Sequence, residues 1–204
     1  MKEIFLIRHG ETDYNKKGIV QGRGVNPSLN EKGRSQADSF FQKYQNEPFE
    51  IVYTSTLQRA IESVQSFIDL KIPHEKFSEL DEIGWGDFEG REVDNYFHSE
   101  FKRIIGEWKS GNLYVKTSNG ESPLELQEKH NRFIKVLQSR PQKKILVCMH
   151  GRAMRILLCT LLNKSLCEMD EFPHYNLSLY RVQFDGTEFK LTAFNDLTHL
   201  HVEV

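Results

Sequence analysis

The chain has 204 residues, 38% of them hydrophobic and 27% charged, with a formal net charge of −2 at pH 7. That length suits one domain with a full core, and the near-even charge leaves no electrostatic footprint for nucleic acid or an anionic membrane. No stretch approaches the roughly 18 uninterrupted apolar residues of a membrane span, and Met1-Lys2-Glu3 runs into a strand without the layout of a signal peptide.

The first element is an apolar run, Ile4 to Ile7, that stops at Arg8-His9-Gly10. It is short and bulky throughout, as is a strand buried on both faces of a parallel sheet. A polar loop follows from Gly10 to about Ser28, too long for a simple connection and therefore a candidate functional loop. The next segment places Ala37, Phe40, Phe41 and Tyr44 on one helical face. A strand over Phe49 to Tyr53 leads into Ser55-Thr56-Leu57-Gln58, which reads as a capping box. The helix expected behind it carries Leu57, Ala60, Ile61, Val64, Phe67 and Ile68 at three- and four-residue spacing.

In the middle third, Phe97, Phe101, Ile104, Ile105 and Trp108 describe an amphipathic helix, and Lys109 to Gly120 a polar loop. Ser122-Pro123-Leu124-Glu125 is a second capping box, with proline at the first helical position, and its helix is expected to reach about Ser139. The run Ile145 to Met149 again ends in His150-Gly151, and an apolar helix follows to Leu162. Cys148 and Cys159 fall inside these apolar elements and read as small buried hydrophobes; with Cys167 they form no CxxC pair, so a reducing cytoplasm is expected. Near the end, Leu177 to Phe184 and Glu188 to Phe194 flank the hairpin dipeptide Asp185-Gly186. The order predicts an α/β fold: a three-layer α/β/α sandwich, its central sheet mostly parallel with an antiparallel C-terminal edge. The whole of 1–204 is expected to be one domain, with a helical and loop insertion at about 91–120 that shapes a pocket, where Tyr96, Phe97, Trp108 and Tyr114 either line an apolar wall or, as such aromatics more often do, pack in the core. Oligomeric state is not legible, although the terminal hairpin supplies an edge for pairing.

In open α/β sheets, ligands bind beyond the carboxyl ends of the strands. Two strands that each deliver a histidine to that edge suggest one site built from both halves of the chain. Arg8 closes the first strand, and Arg59 lies in the first turn of the helix after the second. Two guanidiniums, two imidazoles and a helix N-terminus form a cradle for a dianion such as phosphate. The other histidines read differently: His74, His98, His130 and His174 as surface or partly buried, and His199-Leu200-His201 as a dangling tail, lacking the third ligand of a metal site. Arg152 and Arg155 read as a solvated helix face, with Arg152 within possible reach of substrate.

Read in full, Arg8-His9-Gly10-Glu11-Thr12-Asp13-Tyr14-Asn15 resembles the signature of the histidine phosphatase superfamily, the phosphoglycerate mutase-like family. Leu57-Gln58-Arg59-Ala60 is similar to its second arginine segment. Leu80-Asp81-Glu82-Ile83-Gly84, with Phe88-Glu89-Gly90, is similar to the stretch bearing its catalytic acid. Asn119-Gly120-Glu121-Ser122 and Met149-His150-Gly151 match two further segments, in the right order along nearly the whole chain. The resemblance implies that His9 is a nucleophile forming a phosphohistidine, and that Arg8, Arg59 and His150 hold the phosphoryl oxygens. It makes Glu82, set beside apolar Ile83 and Trp85, the general acid and then base. Asn15, Gln21, Gly22 and Gly151 occupy positions of additional phosphate and substrate contacts. No metal or cofactor is implied, and the partner is a small-molecule phosphate ester.

The family divides between phosphatases and mutases. The acid-phosphatase branch pairs its second histidine with aspartate, whereas His150 here precedes Gly151. Cofactor-dependent mutases carry a basic, proline-rich insert, where this chain has scattered Arg91, Lys102, Arg103, Lys109 and Lys116 with Pro123 as the only proline. The resemblance therefore implies a metal-independent phosphomonoesterase, with mutase activity as the second reading and a non-catalytic phosphate-binding module as a third.

Overall fold

The two runs that end in His-Gly lie side by side at the centre of a six-stranded sheet. A computed structural model of the chain describes residues 1–200. In chain order the elements are β1 (Lys2–Arg8), α1 (Asp13–Lys17), α2 (Glu31–Tyr44), β2 (Ile51–Thr54), α3 (Gln58–Glu62), α4 (Gln65–Asp69), β3 (His74–Lys76), α5 (Asn95–Lys109), α6 (Pro123–Ser139), β4 (Lys144–Met149), α7 (Gly151–Leu161), β5 (Leu179–Phe184) and β6 (Phe189–Asp196). The sheet order is β3-β2-β4-β1-β5-β6. The first four strands are parallel, and β5 and β6 join as the antiparallel edge.

Alternation along the central strands sorts their side chains into two layers. Ile4 and Leu6 of β1 with Ile145, Val147 and Met149 of β4 face a core completed by α5, α6 and α7. Phe5 and Ile7 with Leu146 and Cys148 face the core under α2, α3 and α4. Because both faces are covered, neither strand tolerates a polar residue before its end. Each buried aliphatic there contributes about 1.5–3 kcal/mol of apolar transfer. The pairing of Arg8 with Met149 brings His9 and His150 to the same level, one residue beyond the last rung.

The capping box at Ser122 forms as its sequence requires: Ser122 Oγ accepts the Glu125 N–H at 3.3 Å and Glu125 Oε2 accepts the Ser122 N–H at 2.7 Å. The one at Ser55 does not. The helix starts later, behind Leu57, without a side-chain cap. It also divides at Val64 into α3 and α4, next to Ser63, whose hydroxyl donates to Arg59 O at 2.6 Å. The long loop after β1 is more ordered than its composition suggests. It contains α1, held by a Thr12–Asn15 capping box, and is pinned by bridges from Thr12 to Leu29 and from Ile19 to Glu92.

Five side chains depart from their expected settings. Trp108 belongs to the core instead of a pocket wall: it is 2% exposed, donates its indole N–H to Val115 O at 2.8 Å and packs on Trp85. Tyr96 and Tyr114 are largely exposed. His130 is fully buried on α6, because its helical phase aligns it with Leu126, Phe133 and Leu137. His199 is buried as well, edge-on to Phe40, with its Nε2–H donated to Leu177 O at 2.8 Å; His201 lies outside the described residues. Among the described residues, no helix is long and apolar enough to cross a membrane.

Candidate active site

His9 and His150 are both buried, and their ring centroids are 5.0 Å apart. His9 is anchored through its main chain, its N–H bonded to Met149 O at 3.0 Å in continuation of the sheet ladder. Its Nδ1 lies 2.7 Å from Gly10 O. A carbonyl only accepts, so the proton sits on Nδ1 and the lone pair is left on Nε2. Burial, reinforced by Arg59 and Arg8, holds the His9 imidazole well below its usual range, so the ring is neutral at neutral pH. A neutral ring with a free Nε2 is the nucleophilic form.

The turn that follows is tight. A side chain on Gly10 would meet Gly33 O at 2.6 Å, so glycine is the residue that fits. The Gly10 N–H donates to Ser63 Oγ at 2.8 Å, which ties the His9 turn to the carbonyl of Arg59 through that same hydroxyl.

The two arginines reach the site from different elements. Arg8 ends β1, and its Nη1 donates to His174 O at 3.0 Å and lies 3.3 Å from His174 Nδ1. Arg59, fully buried in α3, donates to Val25 O at 2.9 Å and Gly22 O at 3.1 Å. Burial lowers both to about 10, which leaves them cationic, and Glu82 acts against that fall. Their Nε atoms are buried with no protein partner among the described residues. Such unsatisfied cationic donors fit an anion with several acceptor oxygens.

Glu82 is buried, not a solvated surface charge. Its carboxylate accepts the N–H of Arg152 at 3.1 Å and of Ala153 at 2.8 Å, and so sits on the N-terminus of α7 beside His150. It also accepts its neighbour Ile83's N–H at 2.9 Å. The preceding residue, Asp81, holds the N–H and hydroxyl of Thr56. The acid segment is thereby fastened to the turn that leads into Arg59.

The structure therefore brings Arg8, His9, Arg59, Glu82 and His150 together. The remaining expected contacts are more mixed. Asn15 Oδ1 accepts from Thr12 and from Asn176 Nδ2 at 3.4 Å, and its amide hydrogens have no acceptor among the described residues. Gln21 accepts the Thr12 hydroxyl at 2.9 Å, and Gly22 uses its carbonyl to hold Arg59. Gly151 opens α7 against the His174 ring, with room for a Cβ only at 3.0 Å.

Several contributors escaped sequence reasoning. Asn176 Nδ2 donates to His9 O at 3.0 Å. His174 lies on Arg8 and is depressed to about 2, by burial first and then by Arg8, Arg155 and Arg152. Ser55 Oγ lies 2.7 Å from His150 Nε2. Arg152 and Arg155 share Asp170 instead of facing solvent, the Arg152 pair at 2.6 Å. His174 and Asn176 sit in a connection with no helical or strand period. The sequence around Ser55 reads as a helix cap, the commoner use of a serine at that point. The one usable signal was the position of Ser55, directly at the carboxyl end of a sheet strand.

The model of the histidine phosphatase superfamily (branch 1) matches residues 4–197. The chain belongs to that superfamily. It is 25% identical to phosphoserine phosphatase 1 of Hydrogenobacter thermophilus over 205 residues, covering 98% of this chain and 95% of that protein. A 2,3-bisphosphoglycerate-dependent phosphoglycerate mutase of Bartonella henselae is 28% identical over 174 residues, covering 78% of this chain and 81% of that one. Among solved structures, phosphoserine phosphatase from Entamoeba histolytica in complex with 3-phosphoglyceric acid superposes with a TM-score of 0.83 at 26% identity, covering 98% of this chain and all of that one.

Proposed function

We propose that the protein is a phosphomonoesterase for small organic phosphates that works through a phosphohistidine on His9. The observation that carries this is the pairing of two buried imidazoles, 5.0 Å apart, at the ends of adjacent parallel strands between Arg8 and Arg59. The similarity to phosphoserine phosphatases supports the substrate class.

His9 Nε2 attacks phosphorus, and the ester oxygen leaves as the alcohol with a proton from Glu82. Water then attacks the phosphohistidine, returning a proton to Glu82 and releasing inorganic phosphate. Positive charge for the phosphoryl oxygens comes from Arg8 and Arg59, fixed in place before the reaction so that no reorganisation is needed as charge shifts. His150 Nδ1 and the free amide of Asn15 are further donors; Gln21 and Gly22 act by shaping the loop, and Gly151 by opening α7. The 91–120 segment, packed on the same core within a single domain, borders the substrate space. The protein works in the cytoplasm.

The test is phosphate release from a panel of phosphomonoesters in EDTA, including phosphoserine and 3-phosphoglycerate with and without 2,3-bisphosphoglycerate, with His9→Ala alongside. Release that survives EDTA and vanishes in the variant is the expected result. Conversion of 3-phosphoglycerate to its 2-isomer with little release would make the chain a mutase. Binding of inorganic phosphate without turnover of any ester would leave a phosphate-binding module.

A further inference from the structure

Ser55 stands directly after β2 with no solvent exposure. Its hydroxyl oxygen is 2.7 Å from His150 Nε2 and accepts the Leu57 N–H at 3.2 Å. These two contacts decide which way the Ser55–His150 bond runs. Were Nε2 the donor, Oγ would receive two N–H groups, and its own buried proton would have no acceptor among the described residues. With the hydroxyl as donor, both contacts of Oγ are used and its proton has an acceptor: Leu57 gives to Oγ, and Oγ gives to the Nε2 lone pair.

The direction matters because a neutral imidazole has one N–H, and the bond at one nitrogen settles what the other presents. His150 Nδ1 is buried with no protein partner among the described residues. It belongs to the ring that faces His9, in the neighbourhood of Arg8 and Arg59. With the proton on Nδ1, the ring offers a donor to anionic oxygens. With the proton on Nε2, it would offer a lone pair and repel them. We propose that Ser55 is a positioning residue that fixes His150 in its Nδ1–H form, so that an uncharged ring donates to the phosphoryl group. The proposal rests on the phosphoryl-transfer reading of the site, since that reading supplies the acceptor.

The direct test is nitrogen NMR of protein labelled at histidine, alone and with inorganic phosphate. His150 is expected to show a protonated Nδ1 and an unprotonated Nε2, and Ser55→Ala to shift it toward the other tautomer. This readout needs no turnover, so it stands apart from whether the protein is a phosphatase. In kinetics, Ser55→Ala is expected to lower kcat/KM about 10- to 100-fold, as loss of a partner that orients a ligand does, and Ser55→Thr to restore part of it. A second background separates positioning from folding. In His150→Asn the side-chain amide carries a donor near the place of Nδ1 without needing a tautomer, so Ser55→Ala there should cost less than about 2-fold. A wild-type His150 protonated on Nε2, a tautomer unmoved by Ser55→Ala, or equal losses in both backgrounds would overturn the assignment.

Discussion

The ends of β1 and β4 carry the same dipeptide and are wired in opposite senses. At β1, His9 gives its Nδ1 proton to the carbonyl of its own neighbour Gly10, and Nε2 is left as a lone pair. At β4, Nε2 of His150 is engaged by Ser55, and Nδ1 is left without a protein partner among the described residues. Burial and the two arginines keep both rings neutral. On the proposed function, two identical sequence endings thus supply one nucleophile and one hydrogen-bond donor. The difference lies in a single pinned nitrogen on each ring, held at His9 by Gly10 within the motif and at His150 by Ser55 outside it.

The largest expected asymmetry is between the two alanine variants. His9→Ala removes the nucleophile and should abolish turnover, by about 10⁴-fold or more. His150→Ala removes one donor and should lower kcat about 10²- to 10³-fold. Steady-state rates on one ester measure both, and equal residual activity in the two variants would break the distinction. Next, Glu82→Gln should lower kcat about 10²- to 10⁴-fold on alkyl phosphates. The loss should be far smaller on an aryl phosphate whose leaving group needs no proton, and an equal loss on both esters would remove Glu82 from the proton-transfer role.

Acidity sharpens the comparison further. With His9 held well below 6.5, the free enzyme keeps its nucleophile as the pH falls through that region. The acid limb of kcat/KM should therefore follow the second ionisation of the substrate phosphate, near 6 for a typical monoester. An ester with a lower second ionisation should move the limb with it. A limb fixed near 6.5 for every substrate would mean that His9 titrates normally.

The smallest effect concerns His130, a buried histidine outside the site, with both nitrogens unpaired among the described residues and a pKa lowered by burial to about 3. Below pH 6.5 the unfolded chain takes up a proton that the folded chain refuses until about 3, so stability falls as pH falls across that window. The loss from this one group is about 2 kcal/mol between pH 7 and pH 5. His130→Leu should be neutral or mildly stabilising at pH 7, with a shallower fall in urea midpoint toward pH 5; an unchanged slope would contradict the buried, neutral assignment.

The central strands, the helix caps at Ser122 and the terminal hairpin were legible because each is dictated locally, by alternation, by a capping pair or by a turn dipeptide. Arg8, His9, Arg59 and His150 were legible because strand ends and a helix N-terminus place them, whereas Glu82 was legible only through the resemblance of its segment to the family. What escaped was set by distant packing. Ser55 looked like a cap until the fold put His150 beside it, and the helix expected behind it divides at Val64, next to the Ser63 hydroxyl that accepts the Gly10 N–H. His174 and Asn176 lie in a connection whose sequence has no period, yet the sheet edge brings them onto Arg8 and His9. Trp108 has the spacing of a pocket residue or a core residue, and only the position of Trp85 decides between them.

The most direct measurement of the central claim is to mix the enzyme with a fast phosphate ester, quench under alkaline conditions that preserve phosphohistidine, and map the modified peptide by mass spectrometry. One phosphoryl group on the peptide bearing His9, absent from His9→Ala and increased in Glu82→Gln with an aryl phosphate, is the predicted result. A phosphoryl group on His150, or turnover with no phosphoenzyme at any time point, would contradict it.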